Sequence, residues 1–213
     1  MAHPTWPLYD LRIRTPGLEL RLPTEDELVA LCDVASAGIH DPEFMPFGVA
    51  WTDKPSPRFE REFMQHHWGL RSAWTPERWQ FNLAVFHDGE PIGFQDVGAK
   101  DFAVLREVVT GSWLGAAFQG RGFGKQMRAA VLHLAFAELD AVVARTAAWA
   151  DNRPSQAVSR ALGYRDNGVT RELRRGVPTD HLHMRLTRER WPAHRFCEVE
   201  VEGMDSCREM FGV

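Results

Sequence analysis

A chain of 213 residues with 44% apolar side chains can bury one core of its own and requires no second domain. Its formal net charge of −4 excludes the sequence-independent grip on nucleic acid that an excess of Lys and Arg would give, and it holds no uncharged apolar run of membrane-spanning length. Cys32, Cys197 and Cys207 are too scattered for a disulfide framework or a Cys-x-x-Cys metal site, so with no basic-then-apolar leader the expected setting is the reducing cytoplasm.

Leu18, Leu20 and Leu22 alternate with Glu19 and Arg21, which predicts a half-buried strand. Thr24-Glu25-Asp26-Glu27 reads as a capping box, and Leu28, Leu31, Cys32 and Ala35 form the apolar stripe of the helix behind it. From His40 to Trp51, turn residues interrupt Phe44, Met45, Phe47 and Trp51; this aromatic loop is either a packed lid on the core or a wall for an acceptor molecule. A helix is expected from Arg58 to about Trp74. Its adjacent His66 and His67 point about 100° apart, so they are no ligand pair and belong on the helix surface and edge. Trp79, Phe81, Leu83 and Val85 alternate up to a turn at Asp88-Gly89, and the chain returns through Ile92 to Val97 as a hairpin. Lys100 to Leu105 reads as a connection and Glu107 to Leu114 as a Val- and Thr-rich strand.

The next stretch changes character twice. Gly120, Gly122 and Gly124 alternate with Arg121, Phe123 and Lys125 just where a helix begins, so free backbone N–H groups and the positive dipole end favour an anion there. A Walker loop needs Ser or Thr where Gln126 stands, and Gly-x-Gly-x-Gly is not the dinucleotide spacing. In the helix, Met127, Val131, Leu134 and Ala135 share the buried face, with Arg128 and Glu138 left for water. Ala141 to Ala148 is a second strand, parallel to the one ending at Leu114, and places a ligand at their carboxyl ends. Pro154 opens a short helix that Gly163 stops. Thr170 to Arg175 is a basic strand or hairpin arm. Leu182, Met184 and Leu186 then alternate with His181, His183 and Arg185, the two histidines being about 7 Å apart, solvated or lining a substrate and too few for a metal. The tail from Trp191 to Val213 carries one more strand and either packs on a neighbour or closes the acceptor side.

Two motifs in their spacing carry a family resemblance. Gln119-Gly120-Arg121-Gly122-Phe123-Gly124, followed by Asn152-Arg153-Pro154-Ser155 and Ala161-Leu162-Gly163-Tyr164, resembles the Gcn5-related N-acyltransferases (GNAT) over about residues 18–186. Within that family the chain looks closest to the branch of the ribosomal-protein alanine N-acetyltransferases. In Gly111-Ser112-Trp113-Leu114-Gly115 and Lys100-Asp101-Phe102 it resembles members that use succinyl-CoA. The resemblance implies a single α/β domain over 1–213 with a C-terminal extension at 187–213. Its central sheet is mixed and largely antiparallel, with a splayed parallel pair of strands and helices on both faces.

It also implies site residues. N–H groups from Gln119 to Lys125 (Gly120, Arg121, Gly122, Phe123 and Gly124 between them) would bind the pyrophosphate of acetyl-CoA or succinyl-CoA, with Trp113 and Leu114 pairing with the pantetheine arm. Asn152 would reach the cofactor, a plain helix cap being the other reading. Ser155 aligns with a proposed general acid, and Tyr164 is the nearest counterpart of the tyrosine used elsewhere in the family. Glu107, Asp101, Glu172, His181, His183 or a water chain could take the amine's proton. No metal is expected. The carboxylate of a succinyl group would need a cation, for which Arg171, Arg174, Arg175 and Arg185 are at hand. The expected acceptor is a small amine, a protein N-terminus or a lysine, and the expected assembly is a homodimer or higher homo-oligomer. The competing reading is a catalytically silent acyl-CoA-binding or sensing module.

Overall fold

The alternating apolar runs become one nine-stranded sheet in the computed structural model, which describes residues 3–213. In chain order the elements are β1 (Arg12–Thr15), β2 (Leu18–Arg21), α1 (Glu25–Ser36), α2 (Arg58–Ser72), β3 (Arg78–His87), β4 (Glu90–Lys100), α3 (Phe102–Leu105) and β5 (Glu107–Leu114). There follow α4 (Phe123–His133), β6 (Val143–Trp149), α5 (Arg153–Ala161), β7 (Arg165–Arg174), β8 (Val177–Thr187) and β9 (Glu200–Glu202). The strands lie in the order β7-β8-β6-β5-β4-β3-β2-β1-β9, with β5 and β6 parallel and the other neighbours antiparallel. Among the described residues no helix is long and apolar enough to cross a membrane.

Local chemistry sets the elements as expected in several places. The Thr24 side chain accepts from the Glu27 N–H while the Glu27 carboxylate accepts from the Thr24 N–H, so the capping box starts α1. Leu28, Leu31, Cys32 and Ala35 are buried and pack with Phe59 and Phe63 of α2 against Ala84, Phe86 and Phe94 on one face of the sheet. On the other face, Met127, Val131, Leu134 and Ala135 lie on Leu20, Phe81, Leu83 and Val108. α4 runs on into a π-helical turn, Leu134–Glu138.

The structure departs from the sequence reading in four places. Residues outside 18–186 belong to the same core: β1 and β9 pair with each other, and Leu8, Leu11, Trp191, Met204, Cys207 and Phe211 are buried beside the α4 face. The tail therefore packs on its own chain. Lys100 to Leu105 contains the helical turn α3. His67, expected at the surface, is 5% exposed and stacks on Phe94 with ring centroids 4.3 Å apart. Arg128, expected in water, is 3% exposed, because its turn of α4 faces the sheet where the sheet is opening.

Candidate functional site

β5 and β6 pair only at Glu107↔Val143, Val108↔Ala144 and Val109↔Arg145. Past these, β5 continues beside β4 as far as Leu114 and β6 beside β8 as far as Trp149, so a wedge opens between them toward their carboxyl ends. Backbone groups at the opening would be costly if left bare. A side chain meets one of them, Thr146 Oγ1 donating to the Thr110 carbonyl (3.0 Å), while inside the neighbouring β4–β5 pair Gln95 Nε2 donates to the carbonyls of Gly111 (2.7 Å) and Asp96 (2.9 Å).

Arg128 fills the apex. Its Nε donates to Gln95 Oε1 (3.3 Å), Nη1 to Thr146 Oγ1 (3.2 Å) and Nη2 to Ser112 Oγ (3.2 Å), so one guanidinium bridges β4, β5 and β6 where the ladder ends. Each of these acceptors is neutral. Tyr164 also lies inside, 3% exposed, with its hydroxyl 3.3 Å from Thr110 Oγ1, and burial pushes its pKa up.

At one mouth of the wedge stands the glycine loop. Gly120 (φ +74°) and Gly122 (φ +85°) hold left-handed backbone, and a Cβ on either would meet no heavy atom within 4 Å, so the ground above the loop is open. Among the described residues no group of the chain accepts from the N–H groups of Gly120 to Gly124. Gln119 turns inward, its Nε2 donating to the Leu114 (2.8 Å) and Ile39 (2.7 Å) carbonyls, which anchors the loop to the end of β5 and occupies the Leu114 carbonyl. Arg121 lies over the Phe123 ring and Lys125 over Phe196, two cations beside the bare N–H groups. Across the gap, Asn152 Oδ1 accepts from the Ser155 N–H (3.3 Å) and so caps α5, the plainer of its two expected roles, placing half-buried Ser155 in the first turn after β6.

At the other mouth lies a cleft of about 710 Å³ on the α2 side of the sheet. The aromatic loop forms its wall: Phe47 and Trp51 join Phe59, Phe63, Phe94 and Trp113, with Trp51 and Trp113 ring centroids 5.9 Å apart. Burial, reinforced by His66 and Arg71, drives the His67 pKa down to about 3, so its ring is neutral. Asp96 is in the floor with Gly111 and Ser112. Beyond β6, Glu172, His181 and His183 place one potential ligand atom each within 4.8 Å of one another. They are already linked: Thr170 Oγ1 lies 2.7 Å from both Glu172 Oε1 and His183 Nε2, and His181 Nδ1 lies 3.2 Å from Glu172 Oε1. A hydrogen bond from Thr170 and the closeness of His181 hold the Glu172 carboxyl below its usual range.

Gln119 thus ties the loop to Leu114 at the end of β5, and Asn152 and Ser155 open α5 directly after β6, so these residues follow the two strands that part. The structure disposes of two arginines considered for an acyl carboxylate: Arg174 is forked onto Asp151 (2.7 Å twice), and Arg175 is held by Asp53 and the Pro42 carbonyl. Asp101 and Glu107 stay at the far end of β5, Glu107 paired with Arg145 at 2.6 Å. Sequence reading missed Asp96 and Arg128. The available signals were a charged residue inside the apolar run from Met127 to Leu132, and the Gln95-Asp96 pair inside an otherwise apolar strand.

Residues 17–165 match the model of the acetyltransferase (GNAT) domain. Among solved structures, the chain is similar to RimJ of Mycobacterium smegmatis in complex with a CoA disulfide, at 24% identity and TM-score 0.73 over 89% of this chain and 94% of that one. It is also similar to RimL, a ribosomal alpha-N-protein acetyltransferase in complex with coenzyme A, at 19% identity and TM-score 0.65 over 81% and 95%. A GCN5-related N-acetyltransferase from Brucella melitensis matches at 17% identity and TM-score 0.67 over 86% and 81%. With its split parallel pair, its glycine loop at the start of α4 and 149 matched residues out of 213, the chain belongs to the acetyltransferase (GNAT) family.

Proposed function

We propose that this protein transfers an acyl group, acetyl or succinyl, from coenzyme A to a primary amine by direct attack in a ternary complex. The observation that carries the reading is the gap itself. It opens at one mouth on the bare N–H groups of Gly120 to Gly124 and at the other on the aromatic cleft. A pyrophosphate suits the first mouth, where unpartnered N–H groups, a helix dipole, Arg121 and Lys125 converge. The pantetheine arm, with its two amides, suits the strand edge past the last β5–β6 pair, where Thr110 and Ser112 turn their backbone toward the gap while Trp113 pairs with Phe94 of β4. The reacting carbonyl then reaches the cleft floor at Gly111 and Ser112.

The amine nitrogen attacks the thioester carbon, the C–S bond breaks, and the thiolate takes a proton. Ser155 suits that last task, because it stands in the first turn after β6 and its hydroxyl has no partner among the described residues. Tyr164 suits it less, since burial holds its hydroxyl under Thr110. For the acceptor, the likeness to RimL, an alpha-N-protein acetyltransferase, favours a protein α-amine over a lysine or a free small amine.

A thermal-shift panel of CoA, acetyl-CoA, succinyl-CoA, ATP and NAD tests the reading. A ligand at 100 times its Kd stabilises the folded state by about 2.7 kcal/mol. The CoA species are expected to raise Tm, with the larger shift identifying the preferred donor. Stabilisation by ATP and by no CoA species would overturn it.

A further inference from the structure

A second cavity, of about 720 Å³, continues from the aromatic cleft along β3, β4 and β5, and the residues common to both are Gln80, Asp96 and Gly111. Asp96 thus stands at the waist of one long groove. Its carboxylate lies against the β5 backbone because residue 111 is glycine: a Cβ there would sit 2.9 Å from Asp96 Oδ1. Oδ1 accepts the Gly111 N–H and Oδ2 accepts from Gln80 Nε2 (3.0 Å), both neutral donors.

The other carboxylates along the groove are committed. Glu62 is bound by Lys54 and Arg58 and Glu107 by Arg145, while across the gap Glu172 is engaged by Thr170 and His181. Asp96 makes no ion pair among the described residues, and the groove reaches it. The charged and titratable groups around it are Arg128 of α4, behind the sheet and bound to Gln95, Thr146 and Ser112, His66 and the neutral His67 of α2, across the cleft, and, along the second cavity, Arg78, Lys100 and the Glu107–Arg145 pair. β3 faces it with the neutral Gln80 and Asn82, and β5 with Gly111. Such a site attracts an ammonium and is poised to take its proton.

Resting on the acyl-transfer reading, we propose that Asp96 is the group that receives the acceptor's ammonium and removes its proton. One proton passes from R–NH3+ to the Asp96 carboxylate and on to water in the groove. The neutral amine forms the C–N bond as the C–S bond breaks, and its second displaced proton goes to the thiolate, giving amide and free CoA. Burial raises the Asp96 pKa and Arg128 opposes this, so its carboxylate is a stronger proton acceptor than an exposed aspartate.

The test compares wild type with Asp96→Asn, whose amide keeps an oxygen for Gly111 while Gln80 can rotate to meet the new NH2. Thiol release is followed from acetyl-CoA and succinyl-CoA with a free-amine tripeptide, Nα-acetyl-lysine and spermidine, across pH 5 to 9. The variant is expected to lose about 100-fold or more in kcat and the acidic inflection of the pH profile, with Kd for CoA unchanged. Its stability gives a second readout. A raised folded-state pKa means the folded protein holds the proton more tightly than the unfolded chain. Stability therefore falls as pH rises through the folded pKa, and Asp96→Asn should raise Tm at pH 8. A wild-type rate and profile in the variant would overturn the assignment, as would an inflection that survives, which would place the proton acceptor on the Glu172–His181 wall. A lowered Tm with weakened CoA binding would make Asp96 only a brace for Gly111. A wild type that binds no CoA, or binds it and acylates none of these amines, would instead bring down the acyl-transfer reading on which the proposal rests.

Discussion

The two mouths of the gap between β5 and β6 use different materials. At the loop, the working surface is backbone: bare N–H groups from Gly120 to Gly124, with Gly120 and Gly122 at positive φ and nothing within 4 Å of where a Cβ on either would stand. At the cleft it is side chain: a wall of Trp51, Phe63 and Trp113, a neutral His67, and a buried guanidinium and a recessed carboxylate on opposite faces of the sheet. A backbone site fails when atoms are added to it. A side-chain site fails when atoms are removed or when protons move.

The largest effect is expected from adding atoms to the loop. Gly122→Val forces a β-branched residue into left-handed backbone, at a folding cost of about 1–2 kcal/mol, and swings the neighbouring N–H groups away from the anion. Losing two charge-assisted hydrogen bonds costs about 3 kcal/mol or more, or at least about 100-fold in CoA affinity. Calorimetric titration with CoA, beside a thermal melt of the free protein, separates the two effects; unchanged affinity would show that the loop does not hold the pyrophosphate.

Removing atoms from the cleft end is expected to act on stability. Arg128→Met keeps the bulk but takes away three donors, leaving Gln95, Thr146 and Ser112 to find other partners at the apex. We expect a loss of about 2 kcal/mol in urea unfolding, relief of guanidinium desolvation offsetting part of the lost hydrogen bonding. A neutral result would mean that the wedge stays open without it.

Protons supply the next step. His67 is neutral in the fold with its pKa down at about 3, whereas the unfolded chain protonates it near 6.5. Between those values the unfolded state binds more protons, so stability falls with pH below about 6.5, by up to about 1.4 kcal/mol per unit. His67→Phe, which keeps a ring against Phe94, should flatten urea midpoints measured from pH 4.5 to 7. An unchanged slope would place the titration elsewhere.

What was legible in the sequence divides along the same line. The capping box at Thr24, the hairpin turn at Asp88-Gly89, the strand from Glu107 to Leu114 and the glycine loop rest on local rules of spacing and backbone freedom, and they stand where those rules put them. Arg128, Asp96 and His67 did not follow from local rules. Helical periodicity gave Arg128 to solvent because a charged residue beside Met127 normally marks the polar edge. It is buried because β5 and β6 part beneath it, an event set by residues 18 and 33 positions from Arg128 in sequence. His67 is likewise decided by Phe94, on another element. Long-range contacts that neutralise a polar group leave no periodic trace.

Asn152 stands between the two materials and gives the smallest, most discriminating change. Its side chain caps α5 by accepting from the Ser155 N–H, and by resemblance it was also expected to reach the cofactor. Asn152→Ala should cost about 1 kcal/mol of stability as a lost cap. Asn152→Asp preserves the cap and adds a negative charge at the mouth where an anionic ligand would pass. If capping is the whole role, the Asp variant keeps wild-type stability and CoA affinity falls less than about fivefold in either variant. If the amide also donates to CoA, both variants bind about 10-fold or more weakly while only the Ala variant is destabilised. Paired melts and CoA titrations on the two variants decide whether this flank of the gap works through its backbone, like the loop, or through a side chain, like the cleft.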